Sequence, residues 1–118
     1  MSNFHFYEDE KKMKGIINHK RSVQFIGHYK KQNLHLRTLK FTGVQTLARF
    51  NPQEELITLH IDFEIHKGKA KLILVSRHHI ITVCDQNFHG DQEILVKKDK
   101  YRLRILGIHA DLEMNISK

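Results

Sequence analysis

The chain contains a single cysteine, so no disulfide can form within it. Unpaired cysteine is usual in proteins of reducing compartments, and we therefore expect a cytoplasmic protein. The first residues lack the basic and then apolar layout of a secretory signal peptide. Apolar runs extend over only a few residues, far fewer than a membrane-spanning helix needs, so we expect no membrane partner.

Proline and tryptophan are also scarce, with one Pro and no Trp among 118 residues. Hydrophobic residues make up 40% of the chain and charged residues 28%, which is ordinary for a soluble globular protein and argues against global disorder. This length suits a single domain over residues 1–118. Residues 1–10 contain Glu8, Asp9 and Glu10, and we interpret them as a flexible acidic N-terminus.

The clearest structural pattern covers residues 56–66, where apolar and polar residues alternate. A period of two is typical of a strand with one face buried and the other in water. The residues predicted to point inward are Ile57, Leu59, Ile61, Phe63 and Ile65.

Five further strands are predicted after this one. Lys67-Gly68-Lys69 is interpreted as the turn of a hairpin, residues 85–91 as a polar loop and Gly107 as a break between strands. Connections this short favour antiparallel pairing. The predicted strands cover residues 70–75, 80–84, 93–96, 101–105 and 110–116.

The first half of the chain has a less regular pattern. The apolar parity changes between Leu36 and Leu39, which predicts a β-bulge or a break between two strands. Residues 44–50 are predicted as a strand, with a short helix over 42–50 as the alternative. Together these patterns predict an all-β protein: one antiparallel β-sandwich of about eight to ten strands, with room for one short helix.

Two C-terminal segments carry a family resemblance. Lys67-Gly68-Lys69-Ala70-Lys71-Leu72, and the run from Lys100 to Gly107 that reads Lys-Tyr-Arg-Leu-Arg-Ile-Leu-Gly, resemble a hairpin and strand of small, poorly characterised bacterial β-sandwich domains. Asp99 stands where a glycine is common in that family. The resemblance implies an adhesive or ligand-binding module rather than an enzyme, and it assigns no binding residue.

The net charge of +7 comes from one segment, because residues 11–53 contain ten Lys or Arg and no acid. Such a partition can attract an anionic partner, and interleaved aromatics such as Phe25 and Tyr29 could stack on single-stranded nucleic acid. The alternative is a solvated surface or the basic rim of a protein interface. The candidate anion-binding residues are Lys20, Arg21, Lys30, Lys31, Arg37, Lys40 and Arg49.

Histidine is abundant, with ten residues. His60, Asp62, Glu64 and His66 are predicted to share the polar face of the 56–66 strand, where two of these side chains could bind one metal ion. His78-His79 could supply a further ligand. No metal-binding motif completes the set, so the alternative is an exposed polar stripe or a group of pH sensors. We predict no metal and no cofactor.

No catalytic motif is recognisable. Cys84 ends an apolar run and is predicted to be a small core residue rather than a nucleophile. We therefore predict a non-enzymatic binding module whose partner is an unknown protein or a second copy of the chain, for example through an edge strand within residues 34–49. The alternative is binding of nucleic acid or another polyanion through residues 11–53.

Overall fold

The computed structural model describes residues 19–22, 24–30, 33–52, 55–97 and 99–117, and all its regular elements are strands. The flexible acidic N-terminus predicted for residues 1–10 lies outside the described residues. The strands are β1 (His19–Arg21), β2 (Gln24–Lys30), β3 (Asn33–Phe50), β4 (Leu56–Val75), β5 (Ile80–Cys84), β6 (Phe88–Leu95) and β7 (Tyr101–Ser117).

All seven strands belong to one antiparallel sheet. Its central path runs β1-β3-β7-β4-β5, so the C-terminal strand lies between β3 and β4. β1 and β2 follow each other along the other side of β3, and β5 and β6 do the same along the other side of β4. The described sheet is therefore five strands wide, with short strands at both edges.

The pairing of the three long strands β3, β4 and β7 is irregular at corresponding positions along the sheet. The pairing of β3 with β7 shifts register between Thr38 and Gly43, and that of β4 with β7 shifts between Ile65 and Lys69. Bulges bend strands and increase their local twist. They divide the sheet into half A, which contains β2, β6 and residues 33–38, 56–65 and 112–117, and half B, which contains β1, β5 and residues 43–50, 70–75 and 101–107.

The predicted hairpin at Lys67-Gly68-Lys69 is wrong, because β4 runs through it without turning back. Gly68 has a positive φ of 74°. A bulge, like a tight turn, can need a residue with positive φ, and glycine adopts it readily. The break predicted at Gly107 is likewise absent from the described residues, since β7 is continuous there. The bulge predicted between Leu36 and Leu39 is confirmed a few residues further on.

One main core forms between the inward faces of the two halves. Leu59, Ile61 and Phe63 from half A are fully buried, which confirms the predicted inward side of this strand. They belong to the same hydrophobic cluster as Leu72 and Leu103 from half B. The bent sheet thus folds its two halves towards a shared interior.

The far ends of the two halves are also close to each other. Residues 51–55 connect the end of β3 in half B to the start of β4 in half A, and residues 96–100 connect β6 to β7. A connection of five residues spans at most about 20 Å. The Val96 N–H donates to the Glu55 carbonyl across these connections. We call this region the open end of the bent sheet.

The structure confirms an all-β antiparallel protein and shows seven strands in one sheet among the described residues; it does not confirm a sandwich of eight to ten strands. Residues 44–50 form a strand, so the helical alternative is wrong. β3 is paired on both sides over residues 33–38 and 43–44, so these residues are not an edge that a second copy could extend.

Candidate functional site

Two rungs of polar residues cross the outer face of half A. In one rung Asn33, Ser117, His60 and Asp91 are successive cross-strand partners from β3 to β6. In the next, His35, Asn115, Asp62 and His89 follow the same order. We call these eight residues the histidine face. Strand alternation turns them outward because their neighbours, such as Leu59 and Ile61, fill the core.

Imidazole and carboxylate groups alternate in both directions on this face. His60 Nδ1 lies 2.8 Å from Asp91 Oδ1, and His89 Nδ1 lies 3.1 Å from Asp62 Oδ1. Each pair joins β4 to β6, with the order of histidine and aspartate reversed between the two rungs. His60 and His89 therefore each have one aspartate across the strand and another two residues along it.

A third side-chain contact continues the second rung into β3. His35 Nδ1 lies 2.6 Å from Asn115 Oδ1. The residues between these contacts line a groove of about 280 Å³. Its polar lining consists of Asn33, His35, His60, Asp62, Asn115 and Ser117. Three strands thus contribute side chains to one groove. His35 and Asn115 are oriented by their bond to each other, and His60 and Asp62 by their bonds to Asp91 and His89.

The hydrogen bond to Asp91 raises the pKa of His60, although the slight burial of the ring opposes this effect. The negative charges of Asp91 and Asp62 add to the increase in this pKa. Because Nδ1 faces Asp91, the other ring nitrogen of His60 is the one that can meet a ligand. It accepts a hydrogen bond when the ring is neutral and donates one when the ring is protonated.

The histidine face and its surroundings are acidic. Asp62 and Asp91 lie on it, and Glu64, Glu93 and Glu113 occupy adjoining rungs of the same half. Arg37 is the cross-strand partner of Glu113. This balance favours neutral or positively charged groups over anions.

The metal site considered for these histidines is not formed by the described residues, which contain no group of three or more His, Cys, Asp or Glu able to hold a metal ion. His60, Asp62 and Glu64 do point to the polar side of β4, as predicted, and His66 is exposed beside them. His78 and His79 instead line a separate cavity at the open end.

The predicted anion-binding residues are distributed along the sheet. Arg37, Lys40 and Arg49 are exposed, but Arg37 and Arg49 are twelve positions apart on β3, which corresponds to about 40 Å of strand. Lys40 lies at the bend, where its N–H donates to Asp111. Lys20, Arg21 and Lys30 are placed in β1 and β2 by their backbone alone, and Lys31 lies outside the described residues.

A second group of cations, which sequence reasoning missed, lies on the side of half B that points away from the main core. Arg49 is the cross-strand partner of Arg102, whose pKa is lowered first by burial and then by the charge of Arg49. Arg104 is fully buried, and burial followed by the charge of Arg102 lowers its pKa to about 10. Lys71 is almost fully buried as well. The alternation of Tyr101, Leu103 and Ile105 with these arginines was the available signal.

Cys84 is buried, as predicted. Burial raises the pKa of its thiol to about 11, and the charge of Asp85 adds to the increase. A thiol in this state is a poor nucleophile at neutral pH. Its surroundings therefore suit a core position rather than covalent chemistry.

Comparison of the chain with protein-family models, with curated proteins and with solved structures finds no match. Among the described residues, no helix has the length and apolar character that would let it cross a membrane.

Proposed function

We propose that this protein is a non-enzymatic binding module and that its partner contacts the histidine face. The observation that carries the proposal is the groove between β3, β7 and β4, where amide, hydroxyl, imidazole and carboxylate groups converge. Sheet residues give a binding surface a rigid backbone, and the cross-strand bonds of His35 and His60 fix side chains before a partner arrives. Preorganised polar groups of this kind favour recognition.

The charge of the face selects among partners. Asp62 and Asp91, with the neighbouring glutamates, favour a partner segment that is neutral or basic. A basic segment also gains from the acceptors that line the groove, such as the side-chain oxygens of Asn33 and Ser117. A protein partner with exposed Lys or Arg fits this surface better than a polyanion does.

Binding rather than catalysis is supported by the state of the candidate reactive groups. The Cys84 thiol is buried. The carboxylates of Asp62 and Asp91 are paired with histidines, and Asp111 accepts a hydrogen bond from the Lys40 N–H. These contacts give each carboxylate a structural role on a sheet surface.

A basic peptide tests the proposal. Fluorescence anisotropy at low salt should show binding of a labelled octalysine peptide to the wild-type chain. The variants Asp62→Asn and Asp91→Asn should each weaken it about two- to fivefold, in keeping with exposed charge pairs. Asp85→Asn removes the same charge from an exposed residue in the turn after β5 and is the matched control. Equal losses in all three variants, or no binding of octalysine, would contradict the proposal.

Polyanion binding is the second candidate, and the exposure of Arg37, Lys40 and Arg49 favours it. It predicts retention on heparin that falls steeply as salt rises. Arg49→Gln should then reduce retention more than Lys67→Gln, which removes an exposed cation at the bend. Heparin retention without octalysine binding would select this candidate over the first.

Other expectations remain predictions beside these two. We infer a cytoplasmic location from the single cysteine. A homodimer built on a sheet edge also remains a prediction; residues 33–38 and 43–44 of β3 do not supply that edge, because they are paired on both sides. The resemblance to small bacterial β-sandwich domains, which implies an adhesive or ligand-binding module, remains a prediction as well, and so does a sandwich of eight to ten strands.

A further inference from the structure

A second cavity lies at the open end of the sheet, away from the histidine face. Its volume is about 410 Å³. The turn after β4 contributes His78 and His79, and the start of β5 contributes two isoleucines. The end of β6 and its connection to β7 contribute Leu95 and Lys97, and the start of β7 contributes Tyr101. Elements from both halves therefore meet around one space.

The hydroxyl of Tyr101 is the most constrained polar group in this cavity. Tyr101 is only 1% exposed, yet it lines the cavity. Its oxygen accepts a hydrogen bond from the Lys97 N–H over 3.2 Å. The hydroxyl hydrogen has no acceptor among the described residues and is left to donate. A buried hydroxyl that is left to donate, on a residue that lines a cavity, suits a ligand with an acceptor group.

Basic side chains surround this donor. Lys97 is exposed beside it, and the imidazoles of His78 and His79 lie on the facing turn, with their ring centres 6.4 Å apart. The nearby Asp99 accepts the Lys100 N–H over 2.8 Å, and this bond is the main reason why the pKa of Asp99 is lowered. Lys100 and Arg77 are exposed as well, so three cations face the two acids of this end, Asp99 and Glu55. An anionic acceptor group is therefore favoured over a neutral one.

The remaining wall of the cavity is apolar. Leu95 is 79% exposed, the largest exposed fraction among the described large hydrophobic residues. Ile80 and Ile81 lie across from it at the start of β5. Apolar surface beside a cationic donor set matches a ligand that has both an acidic head and a hydrocarbon part.

We propose that this cavity binds a small organic carboxylate: its head accepts from the Tyr101 hydroxyl and lies near Lys97 and the two histidines, while its hydrocarbon part covers Leu95. The site does not depend on the function proposed for the histidine face.

A titration of the ¹⁵N-labelled chain with hexanoate, followed by amide chemical shifts, tests the site. Hexanoate should shift the amides of residues 78–81, 95–97 and 101 in a saturable way. Acetate keeps the head without the hydrocarbon part, and 1-hexanol keeps the hydrocarbon part without the charge, so both should bind at least about tenfold more weakly. Equal affinity of hexanoate and acetate would mean an adventitious anion only. Equal affinity of hexanoate and hexanol would mean an apolar patch only.

Single variants distinguish the contributions of the Tyr101 hydroxyl and of Lys97 from the effect of an exposed lysine outside the cavity. Tyr101→Phe removes one oxygen and Lys97→Gln removes one cation, and each should weaken hexanoate binding about three- to tenfold. Lys100→Gln is the matched control, because Lys100 is exposed but does not line the cavity, and it should change the affinity less than twofold. The proposal is overturned if hexanoate produces no shifts at these amides, or if Tyr101→Phe and Lys97→Gln both bind it as the wild type does.

Discussion

A side chain on Gly68 would overlap the main-chain carbonyl oxygen of His109, so β4 and β7 approach each other at the bend as only a glycine allows. Both residues have positive φ, 74° for Gly68 and 48° for His109. The bulges of the two strands therefore lie against each other. This contact is what makes residues 56–75 one bent strand that contributes to both halves of the sheet.

Gly68→Ala should destabilise the fold strongly. The positive φ costs a residue with a Cβ about 1–2 kcal/mol, and overlap with the His109 carbonyl adds to that cost. We expect a loss of at least about 2 kcal/mol in the free energy of unfolding, measured by urea denaturation. Lys67→Ala, at the exposed neighbouring position, should change it by less than about 0.5 kcal/mol. A Gly68→Ala variant as stable as the wild type would show that the bend is not built this way.

Gly107→Ala should be destabilising for a different reason, because the new Cβ would lie 2.6 Å from Cδ2 of the fully buried Phe41. Phe41→Leu frees part of that space. A double-mutant cycle should therefore show that the two changes together cost at least about 0.5 kcal/mol less than the sum of the single changes. Strict additivity of the unfolding free energies would contradict the contact.

The individual strands could be predicted from the sequence better than their connections. The alternation over residues 56–66 fixed which side of β4 is buried, since Leu59, Ile61 and Phe63 lie in the core. The hairpin at Lys67-Gly68-Lys69 was wrong because a turn and a bulge both need a residue with positive φ. What decides between them is pairing with β7, which begins more than thirty residues later.

The candidate site shows the same limit. His60 and Asp62 were predicted to share a polar face, but their partners Asp91 and His89 depend on the register between β4 and β6. The basic segment does not form one local group, because Arg37 and Arg49 are twelve positions apart on β3. Local patterns determine which face a residue occupies, whereas the neighbours on that face come from long-range pairing.

The His60–Asp91 pair should make stability depend on pH. Because its partner raises the pKa of His60, the pair stabilises the folded chain fully below the ordinary histidine pKa of 6.5, and this contribution is lost as pH rises through the higher value in the folded chain. The wild type should therefore exceed Asp91→Asn in urea midpoint more clearly near about pH 6 than near about pH 8.

Direct titration of His60 by NMR provides the control for this effect. Its pKa should fall in Asp91→Asn, because the hydrogen bond to Asp91 is the largest cause of the increase. Glu93→Gln removes the same charge from the next outward position of β6 and should leave the titration of His60 closer to that of the wild type. A pKa of His60 that is unchanged in Asp91→Asn would refute the pair.

Cys84 should react very slowly with a thiol reagent in the folded protein. With a pKa of about 11, only about one thiol in a thousand is ionised near pH 8, and the side chain is buried as well. The reaction with Ellman's reagent, followed by absorbance, should become fast only after unfolding in guanidinium. Rapid labelling of the native chain would mean that the end of β5 is open to solvent.

The surface that octalysine contacts tests the binding proposal most directly, and amide chemical-shift mapping with that peptide can reveal it. The account predicts that the largest shifts occur at His35, His60, Asp62, Asn115 and Ser117, around the groove of the histidine face. Shifts concentrated elsewhere on the sheet, or none at saturating peptide, would contradict it.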